Sequence, residues 1–180
     1  KTAQIFMPST YRPPEYPYVT PLEITTGEVA RTQVAIVGAG PIGLAAAIDL
    51  AQHGIDFILV DDNNTVSVGS RAICYAKRAL EILDRLGCGD AVCARGIEWK
   101  VGKVFFRDEL AYQFDLLPEP GHKRPAFVNL QQYHLEECMV ARLAELGHRV
   151  RWKNKAVGIA PRDDGVRVDV ETPDGRYAIE

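Results

Sequence analysis

The 180 residues, 47% hydrophobic and 25% charged, suffice for one ordinary globular core, so a single domain is expected. A net charge of -3, with 21 Lys and Arg scattered rather than blocked together, speaks against nucleic acid or an anionic membrane as partner. The chain opens without a secretory-type segment, Val34 to Leu50 is broken by three glycines, Pro41 and Asp49, and Cys74, Cys88, Cys93 and Cys138 form no C-x-x-C pair, so a cytoplasmic protein with reduced, packed thiols is expected.

Pro8, Pro13, Pro14, Pro17 and Pro21 sit among Tyr11, Tyr16 and Tyr18. Proline lacks a ladder donor and restricts its predecessor, so residues 1–31 read as an extended arm. Its tyrosines are free to dock on the domain or on a second subunit of a homo-oligomer, or to stay in a loose tail.

Val34 to Val37 is a continuous apolar run, the pattern of a parallel strand buried on both faces. Gly38-Ala39-Gly40-Pro41-Ile42-Gly43 follows, then a helix with Ile42, Leu44, Ala45, Ile48 and Ala51 or Gln52 at helical spacing, stopped by Gly54. A second apolar strand from Ile55 ends in Asp61 and Asp62. A glycine triplet alone is a weak signal, but strand, turn, helix, strand and terminal carboxylate in this order are the sequence form of a dinucleotide-binding βαβ unit.

Each residue type there has a chemical reason. Gly38 permits the tight turn, Gly40 lets the backbone approach a pyrophosphate, and Gly43 lets the helix lie against the strand. Pro41 suits the first helical position, where a missing N–H costs nothing. The helix N-terminus offers free N–H groups and a positive dipole end to phosphates. Asp61 can accept both hydroxyls of an adenosine ribose and would repel a 2′-phosphate, which favours FAD or NAD over NADP. Asp62 fits either a ligand contact or a solvated turn with Asn63 and Asn64.

Beyond a polar loop ending in Gly69, Ser70 and Arg71, the spacing predicts a helix from Ile73 to Leu86, a short helix capped by Asp90, and a hairpin of Ile97–Phe106 with Leu110–Leu116. Asn129 is the expected cap of a helix over 130–146 carrying Leu135, Met139, Leu143 and Leu146. Short strands then follow near 150–152, 156–159, 166–170 and 176–179, parted by Arg162-Asp163-Asp164-Gly165 and Pro173-Asp174-Gly175. They read as one strand returning to the main sheet and then an antiparallel meander. His53, His122, His134 and His148 lack metal spacing, and Glu136-Glu137 reads as a solvated helix face.

Gly-Ala-Gly-Pro-Ile-Gly, the carboxylate ending strand two, Gly69-Ser70-Arg71-Ala72 and Gln132-Tyr-His-Leu-Glu136 together resemble the FAD-dependent aromatic hydroxylases, the class A flavoprotein monooxygenases. The resemblance implies an α/β fold: a Rossmann-like FAD-binding βαβ domain of glutathione-reductase type over 32–180, with a hairpin insertion and a β-meander. It implies FAD held by Gly38, Gly40, Pro41 and Gly43 at the pyrophosphate, by Asp61 at the adenosine ribose, with Asp62 where the family more often has a basic residue. Ser70 and Arg71 match the loop reaching the cofactor, Gln132 the glutamine near the ribityl and phosphate region, and Val157, on the returning strand, a backbone position at the adenine.

The implied activity is hydroxylation of an aromatic, phenolic small molecule, with NADH or NADPH reducing the flavin and a flavin hydroperoxide as oxidant. The second FAD motif of that family, Asp-Gly followed by Ser and Arg, is not found up to Glu180, so an N-terminal portion of a longer enzyme, inactive alone, is expected. The catalytic residues remain unassigned. An NAD-dependent dehydrogenase or another FAD oxidoreductase, and a non-catalytic nucleotide-binding module, are the alternatives, the dehydrogenase disfavoured by the hairpins that follow Leu146.

Overall fold

The computed structural model describes residues 11–68 and 72–180. The arm contains an element that its prolines did not announce, helix α1, Leu22–Thr26. Pro21 precedes it in an extended conformation, and Gly27 ends it at φ 74°, donating its N–H to the Glu23 carbonyl. The arm also docks on the domain. Glu15 bridges to Thr65, Ala30 pairs with Ile179, and Tyr16 stacks on Trp152 with ring centroids 4.7 Å apart.

Strand β1, Val34–Val37, helix α2, Pro41–Gln52, and strand β2, Phe57–Asp61, form the expected βαβ unit. The two strands run parallel in the register Val34↔Phe57 to Val37↔Val60. Next come β3, Cys74–Ala76, α3, Lys77–Arg85, α4, Gly89–Arg95, β4, Ile97–Trp99, β5, Val101–Phe106, β6, Glu109–Asp115, and β7, Phe127–Asn129. The chain closes with α5, Gln132–Glu145, β8, Arg151–Trp152, β9, Lys155–Arg162, β10, Gly165–Thr172, and β11, Gly175–Ile179.

Strand β8 joins β2 in parallel, giving the sheet order β1-β2-β8, and β9 to β11 form the antiparallel meander. Strand β2 lies between two cores because its side chains alternate. Phe57 and Leu59 pack with Leu44, Ile48, Leu80, Met139 and Leu143 of the helical layer. Ile58 and Val60 pack with Val168, Val170, Tyr177 and Ile179 of the meander. Fully burying one such aliphatic side chain stabilises the fold by roughly 1.5–3 kcal/mol, so both layers hold β2 in place.

Several local expectations change in three dimensions. Strand β1 is covered on one face only, leaving Ala35 and Val37 exposed, because the meander that packs on their neighbours Ile58 and Val60 does not reach over β1. The helix expected from Ile73 begins at Lys77, since Cys74–Ala76 pairs with β7 instead. The long strand expected from Ile97 divides: β4 pairs with β7, and β5 pairs with β6 in a separate hairpin.

Asn129 ends β7 and accepts a hydrogen bond from Trp99 Nε1 at 2.9 Å, so helix α5 starts at Gln132 with Gln131 at its cap. Asp90 lies in the first turn of α4, where its carboxylate accepts from Arg124 Nη2 at 2.5 Å in place of capping the helix.

Arg124 is buried and anchors the β6–β7 connection. Its Nε donates to Asp84 Oδ2 at 2.7 Å, and its Nη2 also donates to Asp84 Oδ1. Hydrogen bonds from this guanidinium hold the Asp84 carboxyl down at about 2.

Candidate functional site

In a parallel sheet the crossover helices run opposite to the strands, so α2 and α5, which pack on each other, both point their N-termini at the carboxyl edge. The glycine turn forms the middle of this edge. Gly38 has φ 101°, a conformation open to glycine and strained for other residues, and its N–H donates to the Val60 carbonyl at 2.8 Å.

A Cβ on Gly43 would stand 1.9 Å from the Gly38 carbonyl oxygen, whereas a Cβ on Gly40 would meet no atom of the described residues within 4 Å. The first spacing closes helix onto turn; the second leaves an open approach beside the helix end. Pro41 is the first residue of α2, and no side chain caps that N-terminus. The N–H groups of Ile42 and Gly43 therefore lack intrahelical acceptors and face an anion's approach.

Asp61 closes the other side. Its Oδ2 accepts the Ala39 N–H at 2.6 Å and its Oδ1 the Asn63 N–H at 2.9 Å. A carboxylate offers about four lone-pair sites, so each oxygen keeps one for a further donor. Buried Asn154, which the sequence did not single out, steadies this end of β2: its N–H donates to the Asp61 carbonyl at 2.8 Å, while its Oδ1 accepts from Tyr177. Asp62 is exposed and accepts from Asn63 Nδ2 at 2.9 Å, within the polar turn.

The N-terminus of α5 supplies the third wall. Gln132 is half-buried in its first turn and donates through Nε2 to Glu136 Oε1 at 2.8 Å. Glu136 is buried, not on the solvated face expected for it, and its Oε2 accepts the Ser67 N–H at 2.6 Å. The sequence carried a signal for this, because 132, 135, 136, 139 and 143 share the apolar stripe of the helix.

The hydroxyls of Thr65, Ser67 and Tyr75 are also buried and have no hydrogen-bond partner among the described residues. Burial, with the Glu136 charge added, pushes the Tyr75 phenol up to about 12, so it stays a protonated donor. Glu137 is half-buried and accepts from Arg95 Nη1 at 2.6 Å and from the Tyr11 hydroxyl.

Val157 lies on β9, one strand beyond the returning strand β8, and is partly exposed in a groove with Glu28, Arg167 and Asp169. The structure thus gathers Gly38, Gly40, Pro41, Gly43 and Asp61 around one turn, with Gln132 on the second helix end of the same edge. Ser70 and Arg71 fall outside the described residues. A cavity of about 710 Å³ lies elsewhere, between the arm and α5, lined by Tyr16, Pro21, Val140, Ala144 and Trp152 among others. Among the described residues no group of His, Cys, Asp and Glu could hold a metal ion, and no helix is long and apolar enough to cross a membrane.

A family model described as FAD binding domain matches residues 31–179. The chain is 32% identical over 148 residues to 6-methylpretetramide 4-monooxygenase of Streptomyces rimosus, covering 80% of this chain and 26% of that protein. It is 26% identical over 149 residues to para-nitrophenol 4-monooxygenase of a Pseudomonas species, covering 79% and 36%. The crystal structure of p-nitrophenol 4-monooxygenase from Pseudomonas putida superposes with a TM-score of 0.76 at 27% identity, over 84% of this chain and 39% of that one. The chain therefore spans between a quarter and two fifths of the length of these relatives.

Proposed function

The chain belongs to the FAD binding domain family, and on that premise we propose that residues 32–180 form a Rossmann-like, glutathione-reductase-type module holding the ADP half of FAD at the carboxyl edge of the parallel sheet. We further propose that it serves a monooxygenase that hydroxylates an aromatic, phenolic substrate in the cytoplasm. The observation that carries the reading is the asymmetry of the glycine turn. Gly43 is closed by the protein itself, whereas Gly40 meets nothing among the described residues and lies beside an uncapped helix end.

In this reading Gly38 and Gly40 bring the backbone to the pyrophosphate, the N–H groups of Ile42 and Gly43 meet its charge, and Asp61 accepts the adenosine ribose hydroxyls with its remaining lone pairs. Val157 presents backbone to the adenine, and Ser70 and Arg71 reach the cofactor from the loop before β3. Asp62 stays on the polar turn. FAD bound there supplies reduction by NADH or NADPH and activation of oxygen. The chain's own part is to bind the cofactor, orient it and keep water from one side. The names of the relatives, acting on nitrophenol and on a methylpretetramide, support the aromatic class of substrate.

Titration of the purified chain with FAD, followed by flavin fluorescence, tests the proposal. Saturable binding displaced by ADP is expected. Gly40→Ala should keep the fold and weaken FAD by about tenfold, roughly 1.4 kcal/mol. Binding of NADH with no affinity for FAD would overturn the reading.

A further inference from the structure

Residues 11–30 lie outside the stretch that the family model matches, yet they are tied to the candidate site. Pro13, Pro14 and Pro17 fix their own φ and hold the arm extended, so between Pro13 and Pro17 only Glu15 and Tyr16 carry a backbone N–H. The Tyr16 N–H donates to the Asn64 carbonyl at 2.7 Å, and Asn64 Nδ2 donates to the Tyr16 carbonyl at 3.4 Å. Glu15 makes an antiparallel bridge to Thr65. The loop that follows β2 thus has the arm as its backbone partner.

Tyr16 reaches Asp61 from two directions. Its ring stacks on Trp152, with centroids 4.7 Å apart and planes 8° from parallel, and Trp152 is the β8 partner of Asp61 in the sheet register. Its backbone holds Asn64, next to Asn63, which donates its N–H to Asp61 Oδ1 at 2.9 Å and accepts the Lys153 N–H at 2.9 Å. Asp62 and Asn63 are exposed, so this turn has little apolar contact of its own to keep it in one conformation. The Tyr16 ring, packed against the helical layer, supplies that contact from outside the turn. We propose that Tyr16 is a positioning residue that holds the loop after β2, and through Asn63 the Asp61 carboxylate, in the conformation that accepts the adenosine ribose hydroxyls; this rests on the FAD reading given above.

The test uses the full chain and two probes, ADP and 2′,3′-dideoxy-ADP, which lacks the ribose hydroxyls assigned to Asp61. Tyr16→Ala removes the stack. Its ADP affinity should fall about tenfold and its dideoxy-ADP affinity by less than about twofold, a coupling of ordinary size between linked sites. Tyr16→Phe keeps the ring and should bind ADP as the wild type does. In an Asp61→Ala background, Tyr16→Ala should weaken ADP no further, because Tyr16 acts through Asp61.

Equal losses for the two probes would mark Tyr16 as a merely structural support and overturn the proposal, as would unchanged ADP binding or a further loss in the Asp61→Ala background. Should Tyr16→Ala not fold, the wild-type chain still decides. Linkage is reciprocal, so saturating ADP should slow solvent exchange of the Tyr16 backbone N–H about tenfold, and dideoxy-ADP by less than about twofold. Equal protection by both probes, or protection by neither, overturns the proposal. Failure of the FAD reading itself looks different, since the wild-type chain would then bind neither FAD nor ADP.

Discussion

The βαβ unit and the β5–β6 hairpin are both rich in apolar residues, and only the first buries them. Leu44 and Ile48 of α2 are wholly inaccessible, whereas Phe105, Phe106 and Tyr112 of the hairpin are 59%, 69% and 58% exposed. Both stretches form the element their pattern specifies. The difference is the opposite layer: α2 has the sheet and α5 to pack on, while the hairpin pairs with itself. Its order comes from cross-strand neighbours, with Phe114 laid over Gly102 and Val104 opposite Tyr112. The Lys100–Asp115 ion pair at 3.1 Å sits at its base. Apolar periodicity thus fixes which residues share a face, and only a covering element turns that face into stability.

The sharpest way to break the contrast is at Gly43. The Cβ of Gly43→Ala would meet the Gly38 carbonyl at 1.9 Å, and a backbone oxygen cannot swing aside as a side chain does. A loss of about 3 kcal/mol is expected, read as an earlier urea midpoint, with FAD binding lost alongside.

A smaller loss, about 2 kcal/mol, is expected for Arg124→Met, which strips Asp84 and Asp90 of their buried donor at the connection leading out of the hairpin. The pH dependence carries a signature. Asp84 titrates at about 2 in the folded chain, below the ordinary value near 3.9 of an unfolded aspartate. Its contribution is therefore fully present above pH ~4 and is lost as the pH falls toward 2. Acid titrations of stability should show this limb in the wild type and a flatter one in Arg124→Met.

The smallest effect belongs to the hairpin itself. Phe106→Ser should change stability by within about 0.5 kcal/mol, because so exposed a ring has little burial to lose. A loss above 2 kcal/mol in chemical denaturation would show that the hairpin face is covered in solution and would erase the contrast.

How much was legible in the sequence follows the same division. Gly38 to Gly43 and Asp61 lie within one strand-helix-strand unit, so the tight turn at Gly38, the close packing at Gly43 and the place of Asp61 at the strand end could be read from spacing. Cys74–Ala76 read as helix because its apolar spacing suits either element, and its pairing with β7, more than fifty residues on, tipped the balance. Glu136 read as solvated because charged residues seldom sit in a core. Two donors, one of them on a loop 69 positions away, made its burial tolerable.

By itself the sequence determined the βαβ unit, the helices α4 and α5, the meander and the family resemblance, because each depends on contacts or backbone preferences within a few residues. The tertiary structure decided which strand lies at the sheet edge, where Arg124 is anchored, which aromatics stay exposed, and which way the Gln132 amide faces. Those outcomes rest on pairs far apart in the chain, and no local spacing encodes whether a buried polar group will find its partner.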